Sequence, residues 1–124
     1  MIYELREYVA HEATVPQVHA RFAEHTLPLF AEHGLDVVGF WVDREDPTRV
    51  LYLLEFDDPD AQERAWAAFQ DDPAWQQAKA DSEAHGPIVA SMSSRTLEPV
   101  PYWRPDLARD TARDNASTTS GAQR

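Results

Sequence analysis

The chain has 124 residues and no cysteine, with 43% apolar and 27% charged residues; this composition suits one soluble globular core and excludes disulfides, thiolate nucleophiles and cysteine metal sites. Eleven basic against 22 acidic residues give a net charge of -11, so a phosphate backbone or an anionic bilayer is repelled, and neither nucleic acid nor membrane is expected as a partner. No apolar run approaches the roughly 20 residues of a bilayer span, and the text opens on Met1-Ile2-Tyr3-Glu4 without a basic or apolar leader, which predicts a cytoplasmic protein.

Residues 2–9 alternate over two faces, with Ile2, Glu4, Arg6 and Tyr8 on one and Tyr3, Leu5, Glu7 and Val9 on the other. The pattern predicts a strand that carries chemistry on both sides. Thr14 is placed to cap a helix, Pro16 suits its first turn, and Val15, Val18, Phe22, Thr26 and Leu29 recur at helical spacing until Gly34 ends it. Pro28 lies inside that pattern. It lacks a backbone donor and predicts a bend near Glu24 and His25, where a freed carbonyl needs another partner.

Residues 36–43 and 49–56 are rich in Val, Leu, Phe, Trp and Tyr, and the turn composition of residues 44–48 between them predicts an antiparallel hairpin. Asp58-Pro59-Asp60 opens a helix carrying Ala65, Trp66 and Phe69, and Asp72-Pro73 opens a further one through Trp75, Ala78 and Ser82, stopped by Gly86-Pro87. Residues 88–97 form the last strand, followed by an extended, aromatic-ended arm over 98–103. From residue 104 onward there is a single leucine and no aromatic, so residues 104–124 read as a solvated tail in which 105–114 could make a short helix. The domain is therefore residues 1–103.

Strand, helix, strand, strand, helix, strand is the α+β, ferredoxin-like βαββαβ order: an antiparallel sheet with helices on one face. Both faces of the first and third strands carry large apolar groups, since Tyr52, Leu54 and Phe56 oppose Leu51 and Leu53. A monomer leaves such a second face exposed, which predicts a homodimer with sheets packed face to face.

Tyr3-Glu4-Leu5-Arg6-Glu7-Tyr8, Thr26-Leu27-Pro28-Leu29-Phe30 before His33-Gly34, Val38-Gly39-Phe40-Trp41 and Asp72-Pro73-Ala74-Trp75 together resemble the NIPSNAP family, in order and spacing, over about residues 2–103. The resemblance implies a dimeric α/β barrel. That superfamily includes cofactor-free monooxygenases, isomerases, lactone-forming cyclases and haem-dependent enzymes, and fold does not choose among them. Bacterial members of this size resemble small enzymes of secondary or aromatic metabolism.

Among candidate chemical groups, the spacings of His19, His25 and His33 lack the i, i+4 pair of a helical zinc site, and no metal is expected. His25, three residues before Pro28 and at the edge of the apolar stripe, is the preferred general base. Glu4 and Arg6 share a strand face, as an ion pair or as groups that take a proton and bind an anion; Glu55 is a second acid in apolar company. Tyr3, Trp41, Tyr52, Trp66, Phe69 and Trp75 are expected to line the space between helices and sheet, as packing or as walls of a pocket in which Tyr52 and Trp41 can donate a hydrogen bond, and Phe22 is a further candidate binding residue. Glycine-rich phosphate loops, dinucleotide fingerprints and Gly-x-Ser-x-Gly elbows are absent. Lys79 is the only lysine, a skew that reads as genome composition.

The leading expectation is an enzyme without cofactor. It would act by proton transfer on a hydrophobic aromatic or polyketide-like small molecule, with oxidation, isomerisation or cyclisation as outcome. Haem held by a histidine in the same cavity is the alternative cofactor. A non-catalytic binding or scaffold dimer, recruiting a partner through Tyr102 and Trp103, is the alternative role.

Overall fold

The computed structural model describes residues 1–103; the expected tail and its short helix lie outside the described residues. Strand β1 (Ile2–Ala10) leads through a 3-10 turn (Glu12–Thr14) into α1 (Val15–Arg21), a π-helical turn (Phe22–Thr26) and α2 (Leu27–Glu32). The hairpin of β2 (Asp36–Val42) and β3 (Arg49–Phe56) follows, then α3 (Pro59–Asp71), α4 (Pro73–Ser82) and β4 (Val89–Leu97). The four strands form one sheet in the order β2-β3-β1-β4, antiparallel at every pairing. This is the expected ferredoxin-like arrangement, with β1 and β3 at its centre.

The local chemistry explains most boundaries. Asp58 accepts from the Ala61 amide at 2.8 Å and Asp72 from the Ala74 amide at 2.8 Å, so each proline-started helix has one N-terminal donor satisfied by the expected cap. Asp72 also takes a 2.7 Å contact from Nε2 of His33, which ties the end of α2 to the start of α4. The His33 contact and the Ala74 amide hold its carboxyl below the ordinary carboxylate range. Gly34, with φ of 79°, turns the chain out of α2 in a conformation only glycine adopts freely.

The helix entry and its middle depart from expectation. Thr14 caps no helix amide; its hydroxyl donates to the Ile88 carbonyl at 2.6 Å, fastening the turn to the approach to β4. The irregularity expected ahead of Pro28 is a π turn. There the Leu27 amide donates to the Phe22 carbonyl, and the Thr26 hydroxyl donates to the Arg21 carbonyl at 3.2 Å. The arm after β4 is not extended throughout, since the Trp103 amide closes a turn on the Val100 carbonyl at 3.1 Å.

On the helix side of the sheet, Val50, Tyr52, Leu54 and Phe56 of β3 are buried against Val18, Phe22, Phe30 and Phe69. Each such aliphatic or aromatic side chain contributes about 1.5–3 kcal/mol by leaving water. The other sheet face bears no helix. It presents half-buried Tyr3, Leu5, Val9, Leu51 and Leu53, and Trp41 laid across Gly39, where a Cβ would collide with the indole. Glu7 pairs with Arg49 at its margin. No described helix is long and apolar enough to cross a membrane.

Candidate functional site

Arg6, on the helix side of β1, organises a buried polar cluster. Its guanidinium donates from Nη1 to Glu4 at 2.8 Å, from Nε to the Tyr52 hydroxyl at 3.0 Å and from Nη2 to the Tyr8 hydroxyl at 2.9 Å. The guanidinium also lies over the Trp66 ring, 4.4 Å from its centroid. Glu4, only 4% exposed, is completed by the Trp66 indole N–H at 2.8 Å and the Gln62 amide at 2.9 Å. A buried ion pair persists only when its remaining hydrogen-bonding capacity is met in this way.

The cluster fixes protonation. Burial alone pushes the Arg6 guanidinium down, but Tyr8, Tyr52 and Glu4 outweigh burial and hold it above its ordinary value, so it remains a cation. Burial pushes the Tyr52 phenol well up, with Tyr8 adding to the effect and Arg6 opposing it, so Tyr52 remains a neutral hydroxyl.

Hydroxyl accounting then isolates one proton. Tyr52 is fully buried and already accepts from Arg6, so its own hydrogen goes to the Tyr8 oxygen, 3.3 Å away. The Tyr8 oxygen thus accepts from both Tyr52 and Arg6. Its own O–H has no acceptor among the described residues, and Tyr8 lines a cavity on the helix side of the sheet.

That cavity, about 510 Å³, lies between the sheet and the helices. Phe22 of the π turn, Trp66 and Phe69 of α3 and Trp75 of α4 form apolar walls, with the Phe69 and Trp75 ring centroids 4.6 Å apart. Arg6 and Tyr8 supply the polar wall on the sheet side, and Arg21, Lys79 and Glu83 contribute from α1 and from α4 and its C-terminal end. Arg21, 6% exposed, donates to Glu83 at 3.2 Å and to Ser82 at 3.1 Å.

Of the residues expected to act, Arg6, Tyr52, Glu4, Trp66 and Phe22 are gathered here. His25 is not. It is exposed and lines a shallow groove of about 260 Å³ with Gln17, Glu24 and Asp81. The π turn explains the displacement: it takes more residues per revolution, so His25 falls further round from Phe22 than a 100° step places it. Tyr3 and Glu55 lie on the uncovered sheet face, joined by a 3.0 Å hydrogen bond through which Glu55 raises the Tyr3 phenol. Trp41 shares that face and is 54% exposed. Strand alternation separates all three from Arg6.

Tyr8, Arg21, Lys79 and Glu83 belong to the site beyond the expected set, while Phe69 and Trp75 line it as expected. Tyr8 was detectable as the residue two beyond Arg6 on one strand face. Gln76, Lys79 and Glu83, spaced three and four apart, carry the signal of one helical face. None of the five histidines lines the cavity, so a histidine-held haem does not fit it. Among the described residues no group of three or more His, Asp or Glu side chains is arranged to hold a metal ion.

The sequence matches the NIPSNAP family over residues 3–104. The chain belongs to the NIPSNAP family. A NIPSNAP domain protein from Burkholderia xenovorans superposes with a TM-score of 0.72 at 18% identity, covering 84% of this chain and 99% of that one. A NIPSNAP family protein from Agrobacterium tumefaciens C58 gives 0.73 at 17%, covering 84% and 97%. Beyond the family, a protein described as an antibiotic biosynthesis monooxygenase gives 0.61 at 13%, covering 82% and 100%. These likenesses establish the fold that NIPSNAP proteins share with that protein. No curated protein matches the sequence.

Proposed function

We propose that this NIPSNAP protein is a cofactor-independent enzyme acting on an oxygen-bearing aromatic small molecule in the helix-side cavity, by stabilising its enolate or phenolate. The observation that carries the reading is the Tyr8 hydroxyl. It lines an aromatic cavity with its proton unspent and is braced by the Arg6 cation and the Tyr52 hydroxyl. When a C–H adjacent to a ligand carbonyl, or conjugated with it through an aromatic ring, loses its proton, the electron pair moves onto oxygen. Tyr8 donates to that oxygen and Arg6 supplies the opposing charge. Glu83 is the carboxylate lining the same cavity and, released from Arg21, would take the proton. The fold shared with a protein described as an antibiotic biosynthesis monooxygenase is consistent with oxidation as the outcome, dioxygen from solution being the oxidant that takes the enolate's electrons, one oxygen atom entering the product and the other leaving as water.

Exchange of the benzylic protons of anthrone in deuterated buffer, followed by proton NMR, tests this directly. The protein is expected to accelerate exchange, and Tyr8→Phe to lower that acceleration by about 10²-fold while staying folded, with about 1–3 kcal/mol of stability lost because the Tyr52 hydroxyl and Arg6 Nη2 lose their acceptor. Anthrone that binds without faster exchange would make the protein a ligand binder instead. Exchange unchanged in Tyr8→Phe would remove Tyr8 from the mechanism.

The protein is also proposed to be a homodimer through the uncovered sheet face. Leu5, Leu51, Leu53 and Trp41 form its apolar centre, while Glu7 with Arg49 and Tyr3 with Glu55 satisfy the polar groups at its edge. Light scattering behind gel filtration should give twice the 14.1 kDa chain mass, and Leu53→Glu should give a folded single chain. A wild-type protein running at the mass of one chain rejects the dimer.

A further inference from the structure

We infer that the ligand is an aromatic anion, whose acidic group is held at the cavity rim by Lys79; this rests on the reading that the cavity takes an aromatic molecule. Three charged nitrogen groups line the cavity, those of Arg6, Arg21 and Lys79. Arg6 is matched by Glu4 at 2.8 Å and Arg21 by Glu83 at 3.2 Å. Lys79 has no ion-pair partner among the described residues. The lining groups and their partners therefore carry one net positive charge, inside a chain whose overall charge is -11.

That placement is selective. The net charge of -11 repels anions, yet the chain's single lysine stands beside the aromatic walls of this cavity. Lys79 is exposed on α4, within reach of water and an entering ligand, while Tyr8 lies on the sheet side of the same space. A fused two- or three-ring molecule suits a cavity of about 510 Å³. Its ring carbonyl or hydroxyl would accept from Tyr8, its rings would lie among Trp66, Phe69 and Trp75, and its carboxylate would meet Lys79.

A matched pair of probes isolates the charge: anthraquinone-2-carboxylate and 2-(hydroxymethyl)anthraquinone, titrated by calorimetry into the full chain. Wild type should bind the acid about tenfold more tightly than the alcohol, a margin that shrinks as salt is raised. Lys79→Met should abolish the margin, and Lys79→Glu should reverse it, the margin being read as the ratio of acid to alcohol affinity within each variant. Equal wild-type affinities, or a margin that survives in Lys79→Met, overturn the inference while the aromatic cavity stands. Binding of neither probe overturns the cavity reading along with it.

Discussion

Replacing Arg6 with methionine is expected to cost about 3–5 kcal/mol of stability, because it leaves the Glu4 carboxylate buried without its cation. Glu4 is 4% exposed and keeps only the Trp66 indole and the Gln62 amide, which are neutral donors. The substitution also removes the donors that Tyr52 and Tyr8 accept. Urea denaturation followed by circular dichroism measures the loss. The double variant Glu4→Gln with Arg6→Met should recover much of it, since no uncompensated charge remains. A loss below about 1 kcal/mol in Arg6→Met would mean that water reaches Glu4, contrary to a closed ion pair. Because Arg6 also braces Tyr8, even a folded Arg6→Met should exchange anthrone protons poorly, which links the stability of the sheet to its proposed chemistry.

Phe30→Ala should be comparably severe, about 3–5 kcal/mol. Phe30 is 1% exposed and its ring stands 4.9 Å from Phe69, 5.6 Å from Trp66 and 5.8 Å from Tyr52, centroid to centroid. It is the α2 side chain that locks two walls of the cavity to the central strand. Truncation opens a void that the surrounding rings fill only in part, so both the transfer and the cavity contributions are lost. Thermal and urea midpoints would register the change. A variant within about 1 kcal/mol of wild type would show that α3 closes over the gap and that the cavity walls are adaptable.

The two substitutions also mark where the sequence was informative. Arg6 and Glu4 were legible as partners because strand alternation puts residues two apart on one face, and the buried registers of β1 and β3 bear this out. Trp66, Phe22 and Tyr52 followed from the same kind of periodicity. His25 was misplaced because a uniform helical step was carried through Phe22–Thr26, where the backbone is π-helical. Thr14 was misread as a cap because a threonine before a helix has the right chemistry for one. Its hydroxyl is taken by the Ile88 carbonyl, 74 positions away, a competitor no local window contains.

Glu55, Tyr3 and Trp41 show a second kind of limit. Their chemistry was read correctly as polar or aromatic groups on strands, but the two sheet faces are both apolar enough to be the core face. Only the packing of the helices onto Tyr52, Leu54 and Phe56 distinguishes them. Lys79 is the converse case. Its rarity in the composition was visible, yet its meaning depends on α4 bringing it to the cavity lined by Arg6 and Tyr8.

The sequence by itself determined the βαββαβ order, the capped starts of α3 and α4, the disturbance ahead of Pro28 and the NIPSNAP membership. Each of these rests on short-range periodicity, on backbone chemistry or on a linear pattern of residues. The tertiary structure decided which sheet face holds the cavity, which of two tyrosines on neighbouring strands has a proton without an acceptor among the described residues, and which of the cavity's cations has no ion-pair partner among them. Those outcomes depend on side chains from distant segments competing for the same donors, acceptors and charges, and that competition exists only once the helices have closed over the sheet.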